Sequence, residues 1–100
     1  MHLIRKNRHD YPEQVNCHHD LKGVDLNRNY PFMFSYNQQG QQDVCNEEYR
    51  GPSPLSEPET QAVSNFVKKW SNLKIVINFH AYGNLFIVPF NFDDADNQHL

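Results

Sequence analysis

Apolar positions crowd toward the C-terminal side of the chain. The dense runs lie in the last 40 residues, while residues 1–55 are polar and rich in turn formers. The clearest periodic element begins at Ser56-Glu57-Pro58-Glu59, where a serine precedes a glutamate at capping-box spacing. Pro58 fits a first turn, because its missing N–H has no intrahelical partner there. Glu57 and Glu59 suit the positive end of the helix dipole, and Lys68 and Lys69 the negative end. Ala62, Val63, Phe66, Val67 and Trp70 recur at spacings of three and four, giving one apolar stripe. The pattern predicts a helix over 57–70. Lys74 to Phe79 is a β-branched and aromatic run of strand length, apolar at consecutive positions, as suits a strand buried on both faces. Ala81-Tyr82-Gly83-Asn84 makes a turn, and Leu85 to Phe90 reads as a second strand, with Pro89 at an edge or strand end.

A helix followed by a doubly buried strand predicts an α/β fold: part of a mixed β-sheet flanked by helices, incomplete here because two strands and one helix cannot cover themselves. Upstream, residues 1–22 read as loop, 23–34 as an ordered loop with aromatics, and Asn37 to Asp43 as an amide-rich surface connector. Tyr49-Arg50-Gly51-Pro52-Ser53-Pro54 excludes regular structure through its prolines and glycine. No internal repeat or linker divides the chain, so residues 1–100 read as one partial domain.

Composition narrows the function classes. With 38% apolar and 13% aromatic residues the chain has enough material to pack, and wholesale disorder is not expected. A formal charge of −3, with Arg5, Lys6 and Arg8 the one compact basic cluster, argues against a nucleic-acid partner. No stretch approaches the roughly 18 apolar residues of a membrane span. Met1-His2-Leu3-Ile4-Arg5 shows no apolar signal-peptide core. Cys17 and Cys45 permit one disulfide or two thiols, and the count leaves both open.

Three places could carry chemistry. His80 ends the predicted strand 74–79, where loops at the carboxyl edge of α/β sheets gather functional groups; it suits a metal ligand or general base, although a lone histidine is more often a backbone-bonded structural one. In Asp25-Leu26-Asn27-Arg28-Asn29, a guanidinium fork beside an amide suits a terminal carboxylate. An Asx-type turn with a solvated arginine explains the same residues. Arg5, within Arg5-Lys6-Asn7-Arg8, could polarise a carbonyl and stabilise an oxyanion, or belong to a solvated charge cluster. His18-His19 reads as surface.

Taken in order, the chain resembles the middle of the carboxypeptidase A/B-type zinc peptidases. The resemblance rests on Arg5-Lys6-Asn7-Arg8, Gly23-Val24-Asp25-Leu26-Asn27-Arg28-Asn29, Cys45-Asn46-Glu47-Glu48-Tyr49-Arg50-Gly51, Leu55-Ser56-Glu57-Pro58-Glu59-Thr60 and the turn His80-Ala81-Tyr82. It runs from Arg5 to about Pro89 and implies a zinc-dependent exopeptidase acting on peptide or protein C-termini. It implies that His80 is one of three zinc ligands, and that Asn27 and Arg28 bind the substrate's C-terminal carboxylate. Arg5 would polarise the scissile carbonyl, Asp25 would orient a ligand histidine without touching the metal, and Tyr82 would line the neighbouring subsite. Ala81–Tyr82 would be a cis peptide bond. Cys17 and Cys45 fall where many secreted members place a disulfide, so pairing and a secreted or extracellular parent are implied, although the sequence itself fixes no compartment. Ala81 stands where a serine is usual, and the stretch from Cys17 to Asp25 is longer than in common members.

The same resemblance shows what these residues lack. No histidine is followed three residues later by glutamate: His2 leads to Arg5, His9 to Pro12, His18 to Leu21 and His19 to Lys22. The family's general-base glutamate and mobile tyrosine lie beyond Leu100. One ligand cannot hold a catalytic Zn²⁺, so the 100 residues alone are expected to be inactive. The alternatives are a non-catalytic module gripping peptide C-termini through Asn27 and Arg28, and a small fold with its own metal site at His18 or His19.

Overall fold

The computed structural model describes residues 5–36 and 40–87. Its regular elements are three 3-10 turns, at Pro12–Gln14, His19–Leu21 and Leu26–Arg28, and one α-helix, α1, at Pro58–Lys68. Helix α1 falls within one or two residues of the expected bounds at each end, the usual range of fraying. Its start differs in mechanism from the capping box expected. Glu57, not Ser56, is the N-cap residue, and no side chain caps the first turn. The Ser56 hydroxyl instead donates to Glu57 Oε1 at 2.7 Å.

The expected sheet is not there. Among the described residues no strand forms, which overturns the mixed α/β assignment. Residues 74–79 form no regular element among the described residues, and Ile75, Val76, Ile77 and Phe79 are exposed. The reason is physical: β-branched composition favours a pleated surface only where a neighbouring backbone supplies the ladder and a covering layer. Residues 85–87 of the second predicted strand are likewise unpaired among the described residues, while 88–90 lie outside them, as do residues 1–4 and 37–39 of the amide-rich connector. The apolar stripe of α1 is uncovered too, with Val63, Phe66 and Trp70 all exposed. The Ala81–Tyr82 bond is trans, contrary to expectation. The turn is made instead by positive φ at Tyr82, Gly83 and Asn84.

What holds the chain together is a polar core. Among the described residues the buried apolar side chains are Cys17, Val24 and Tyr49, against buried Lys6, Gln14, Asp25, Asn29, Gln41, Glu57 and Thr60. Buried polar groups survive only when hydrogen-bonded, and here Lys6, Gln14, Asp25, Asn29, Glu57 and Thr60 link distant segments. The Gln14 amide donates to Gly23 O (3.0 Å) and Val44 O (2.6 Å) and accepts from Gly23 N at 2.8 Å. Lys6 Nζ donates to the carbonyls of Leu21 and Asn46. Asn7 N donates to Val24 O at 3.0 Å, and Asn7 Oδ1 accepts from Val24 N at 2.8 Å. Cys17 and Cys45 form a disulfide across a separation of 28 residues, with Cα atoms 5.2 Å apart. Closing such a loop contributes roughly 3–4 kcal/mol by the chain-entropy argument.

Gly23 makes the Asn7–Val24 pairing possible. Its φ is +87°, and a Cβ there would stand 2.0 Å from Asn7 O. Gly23→Ala is therefore expected to destabilise the protein by about 1–3 kcal/mol, combining a left-handed backbone with a steric clash. A urea midpoint equal to that of the parent would refute this account of the turn.

Candidate functional site

The site grows from the turn at Leu26–Arg28. Asp25, extended at φ −72° and ψ 102°, caps it by accepting Asn27 N on Oδ1 at 3.0 Å. The buried carboxylate then has Oδ2 left for Arg5, whose Nε donates to it at 2.8 Å. One residue thus fixes both the turn and the first guanidinium. The turn carries Arg28 to the same side of the molecule.

The two guanidiniums converge on one acceptor. Arg5 Nη2 and Arg28 Nη2 each donate to Glu48 Oε1 at 3.0 Å. Partial burial works against the Arg5 charge, but Asp25, then Glu48 and Glu47, hold it protonated more firmly than an ordinary guanidinium. Burial would raise the Glu48 carboxyl as well. The Arg28 hydrogen bond and charge, then Arg5, outweigh that and hold it below the ordinary range. Arg28 uses only part of its fork, since its buried Nε has no acceptor among the described residues.

Asn27 sits exposed in the same turn. His80 and Tyr82 come from the far end of the described chain and line one cavity of about 1140 Å³ together with Arg5, Arg8 and Glu47. The structure therefore joins Arg5, Asp25 and Arg28 directly. It places His80 and Tyr82 on the wall that Arg5 also borders, and leaves Asn27 exposed in the middle of the turn. Tyr82 is 95% exposed, so nothing packs it into a fixed subsite.

His80 Nε2 lies 3.0 Å from Asn78 Nδ2, and His80 belongs to no group of three metal-ligating side chains among the described residues. These residues do not form a tetrahedral zinc site around His80, which needs three protein ligands and an open position. Glu48 takes no role in the sequence analysis, where it appears only inside the stretch Cys45–Gly51, because nothing local marks it as the acceptor of two distant arginines. Its only signal is its place directly before Tyr49-Arg50-Gly51.

A family model described as zinc carboxypeptidase matches residues 1–99. The human carboxypeptidase A5 is 43% identical over 68 residues, covering 68% of this chain and 15% of that protein. The human mast cell carboxypeptidase A is 39% identical over 92 residues, covering 90% and 20%. A metallocarboxypeptidase A-like protein of Trichophyton verrucosum is 36% identical over 93 residues, again covering 90% and 20%. The chain thus spans a fifth or less of the length of these relatives. No solved structure matches it.

Proposed function

Because the chain belongs to the zinc carboxypeptidase family, we propose that it supplies the carboxylate-recognising part of a catalytic domain that removes C-terminal residues from peptides by zinc-dependent hydrolysis. The observation that carries this reading is the convergence of Arg5 and Arg28 on a single carboxylate oxygen of Glu48, 3.0 Å from each. Two guanidiniums so placed define a space that a substrate carboxylate fits, and the unused Nε of Arg28 offers a second donor for a forked pair. Arg28, with Asn27 beside it, binds the terminal carboxylate. Arg5, held by Asp25, faces the scissile carbonyl and stabilises negative charge on its oxygen. Tyr82 lies along the neighbouring residue of the substrate, and His80 is the one zinc ligand these residues contribute. The 100 residues alone bind without cleaving.

Titration with a short peptide, followed by NMR of the arginine side chains, tests the reading. A peptide with a free C-terminus is expected to shift the Arg28 signals, and its amidated twin is expected not to. Arg28→Ala should weaken binding about tenfold to a hundredfold, the worth of one charge-assisted hydrogen bond. Glu48→Gln should strengthen it, because the carboxylate that competes for both guanidiniums is gone. Equal binding of the free and amidated peptides would sink the proposal.

A further inference from the structure

We propose that His18, His19 and Asp20 form a surface site for a divalent transition-metal ion of intermediate softness, of which Zn²⁺ is the probe used below. Adjacent histidines in an extended chain point to opposite faces and cannot share an ion. Here the backbone changes direction between them. His18 is the N-cap residue of the His19–Leu21 turn, at φ −56° and ψ 142°, and His19 and Asp20 lie inside it. The tight winding of a 3-10 turn brings the two imidazoles together, ring centroids 4.4 Å apart and tilted by 43°.

The carboxylate completes the set. Asp20 Oδ1 lies 2.9 Å from His19 Nε2, and Asp20 Oδ2 lies 3.5 Å from His18 Nδ1. One ligand atom from each residue falls within 4.8 Å of the others. Two ligand atoms that each sit about 2.1 Å from a common ion are about 3.0–3.4 Å apart, so each histidine already stands near a coordinating separation from one oxygen of the carboxylate, His19 from Oδ1 and His18 from Oδ2. All three side chains are exposed, and gathering them on one ion has only to close ligand atoms that already lie within 4.8 Å of one another.

The backbone beneath them is fixed, which lowers the ordering cost of binding. Cys17, immediately before His18, is bonded to Cys45. Leu21 N donates to His18 O at 2.8 Å, and Leu21 O is taken by the Lys6 ammonium. The nearest cation in sequence, Lys22, is drawn away to Asp10 at 3.2 Å, so Asp20 is left to the histidines. Two imidazoles and a carboxylate suit Zn²⁺ and, more tightly, Cu²⁺, with the remaining positions filled by water.

Zn²⁺ titration by calorimetry, paired with imidazole NMR, tests the site on the protein and its variants. One binding event is expected to perturb the ring signals of His18 and His19. It should persist in His80→Ala, weaken at least about tenfold in Asp20→Asn and vanish in the His18→Ala/His19→Ala double variant. These positions are exposed, so the variants keep the fold. An isotherm that survives the double variant, one that depends on His80 instead, or no Zn²⁺ uptake at all would each overturn the proposal.

Discussion

Asn29→Ala is expected to lower the unfolding free energy by about 3–4 kcal/mol, enough to unfold a protein with so small an apolar core. Asn29 is fully buried. Its Nδ2 lies within hydrogen-bond distance of Arg50 O (2.8 Å), Ser53 O (3.1 Å) and Ser56 Oγ (2.8 Å). Its Oδ1 accepts from Thr60 Oγ1 at 2.6 Å and from Glu57 N at 3.3 Å. This one amide ties the turn carrying Arg28 to the proline-rich loop and to the first turn of α1. Alanine strands several buried donors and acceptors at once, and each costs about 1–3 kcal/mol when unmet. Equilibrium urea unfolding measures the loss. A change within about 0.5 kcal/mol of the parent would show that water replaces the amide and that the polar core is not cooperative. Because the turn also carries Arg28, the same variant should weaken the binding of free-carboxylate peptides without touching a binding group.

Why Asn29 escaped the sequence reading shows what kind of information was missing. Helix α1 is a local object: the apolar spacing and the Ser56-Glu57-Pro58-Glu59 start place it over 57–70 with no knowledge of the rest, against Pro58–Lys68 in the structure. Asn27 and Arg28 are candidates because an amide beside a guanidinium suits a terminal carboxylate, while Arg5 and Asp25 take their roles from the resemblance to the zinc carboxypeptidases. The polar core is different. Asn29 meets partners 21 to 31 positions away, and Glu57 meets Asn7, His9 and Tyr11 across 46 to 50. No period or short motif announces such pairs, and a buried amide looks like any loop asparagine until its partners are placed. Glu48 escaped for a related reason, since only the fold brings Arg5 and Arg28 to it. The failed strands are the converse case. The run Lys74 to Phe79 has strong β composition, but the state of a strand is decided by its neighbours, and none of the described residues supplies one. His18 and His19 are exposed, as a surface pair should be, but the closeness of their rings depends on backbone dihedrals that the sequence does not state.

The protein is expected to lose stability as pH falls below about 4.5, and Glu57 to account for much of that loss. The carboxylate is fully buried, a costly position unless strongly solvated by the protein. Burial alone would raise its pKa. Donors from Tyr11, Asn7, Ser56 and His9 more than offset this and hold it below the ordinary value of 4.5. The Tyr11 phenol, partly buried and hydrogen-bonded to Glu57, is pushed up to about 12 and stays a donor throughout the neutral range. Since the folded pKa is depressed, the unfolded chain takes up a proton first as pH falls. The stabilisation is complete above the unfolded value and drains away as pH drops through the folded one. Glu57→Gln separates this group from the other acids. At neutral pH it turns an acceptor oxygen into an NH₂ facing donors, at an expected cost of about 2–4 kcal/mol. Its stability should then change less with pH below 4.5, so the gap between variant and parent narrows on acidification. Unfolding free energies measured across that range decide the matter. A gap that stays constant from neutral pH downward would mean that Glu57 has the same pKa in the folded and unfolded chain, and a gap that widens would mean that burial outweighs Asn7, His9, Tyr11 and Ser56 and keeps it protonated; either result refutes a held charge.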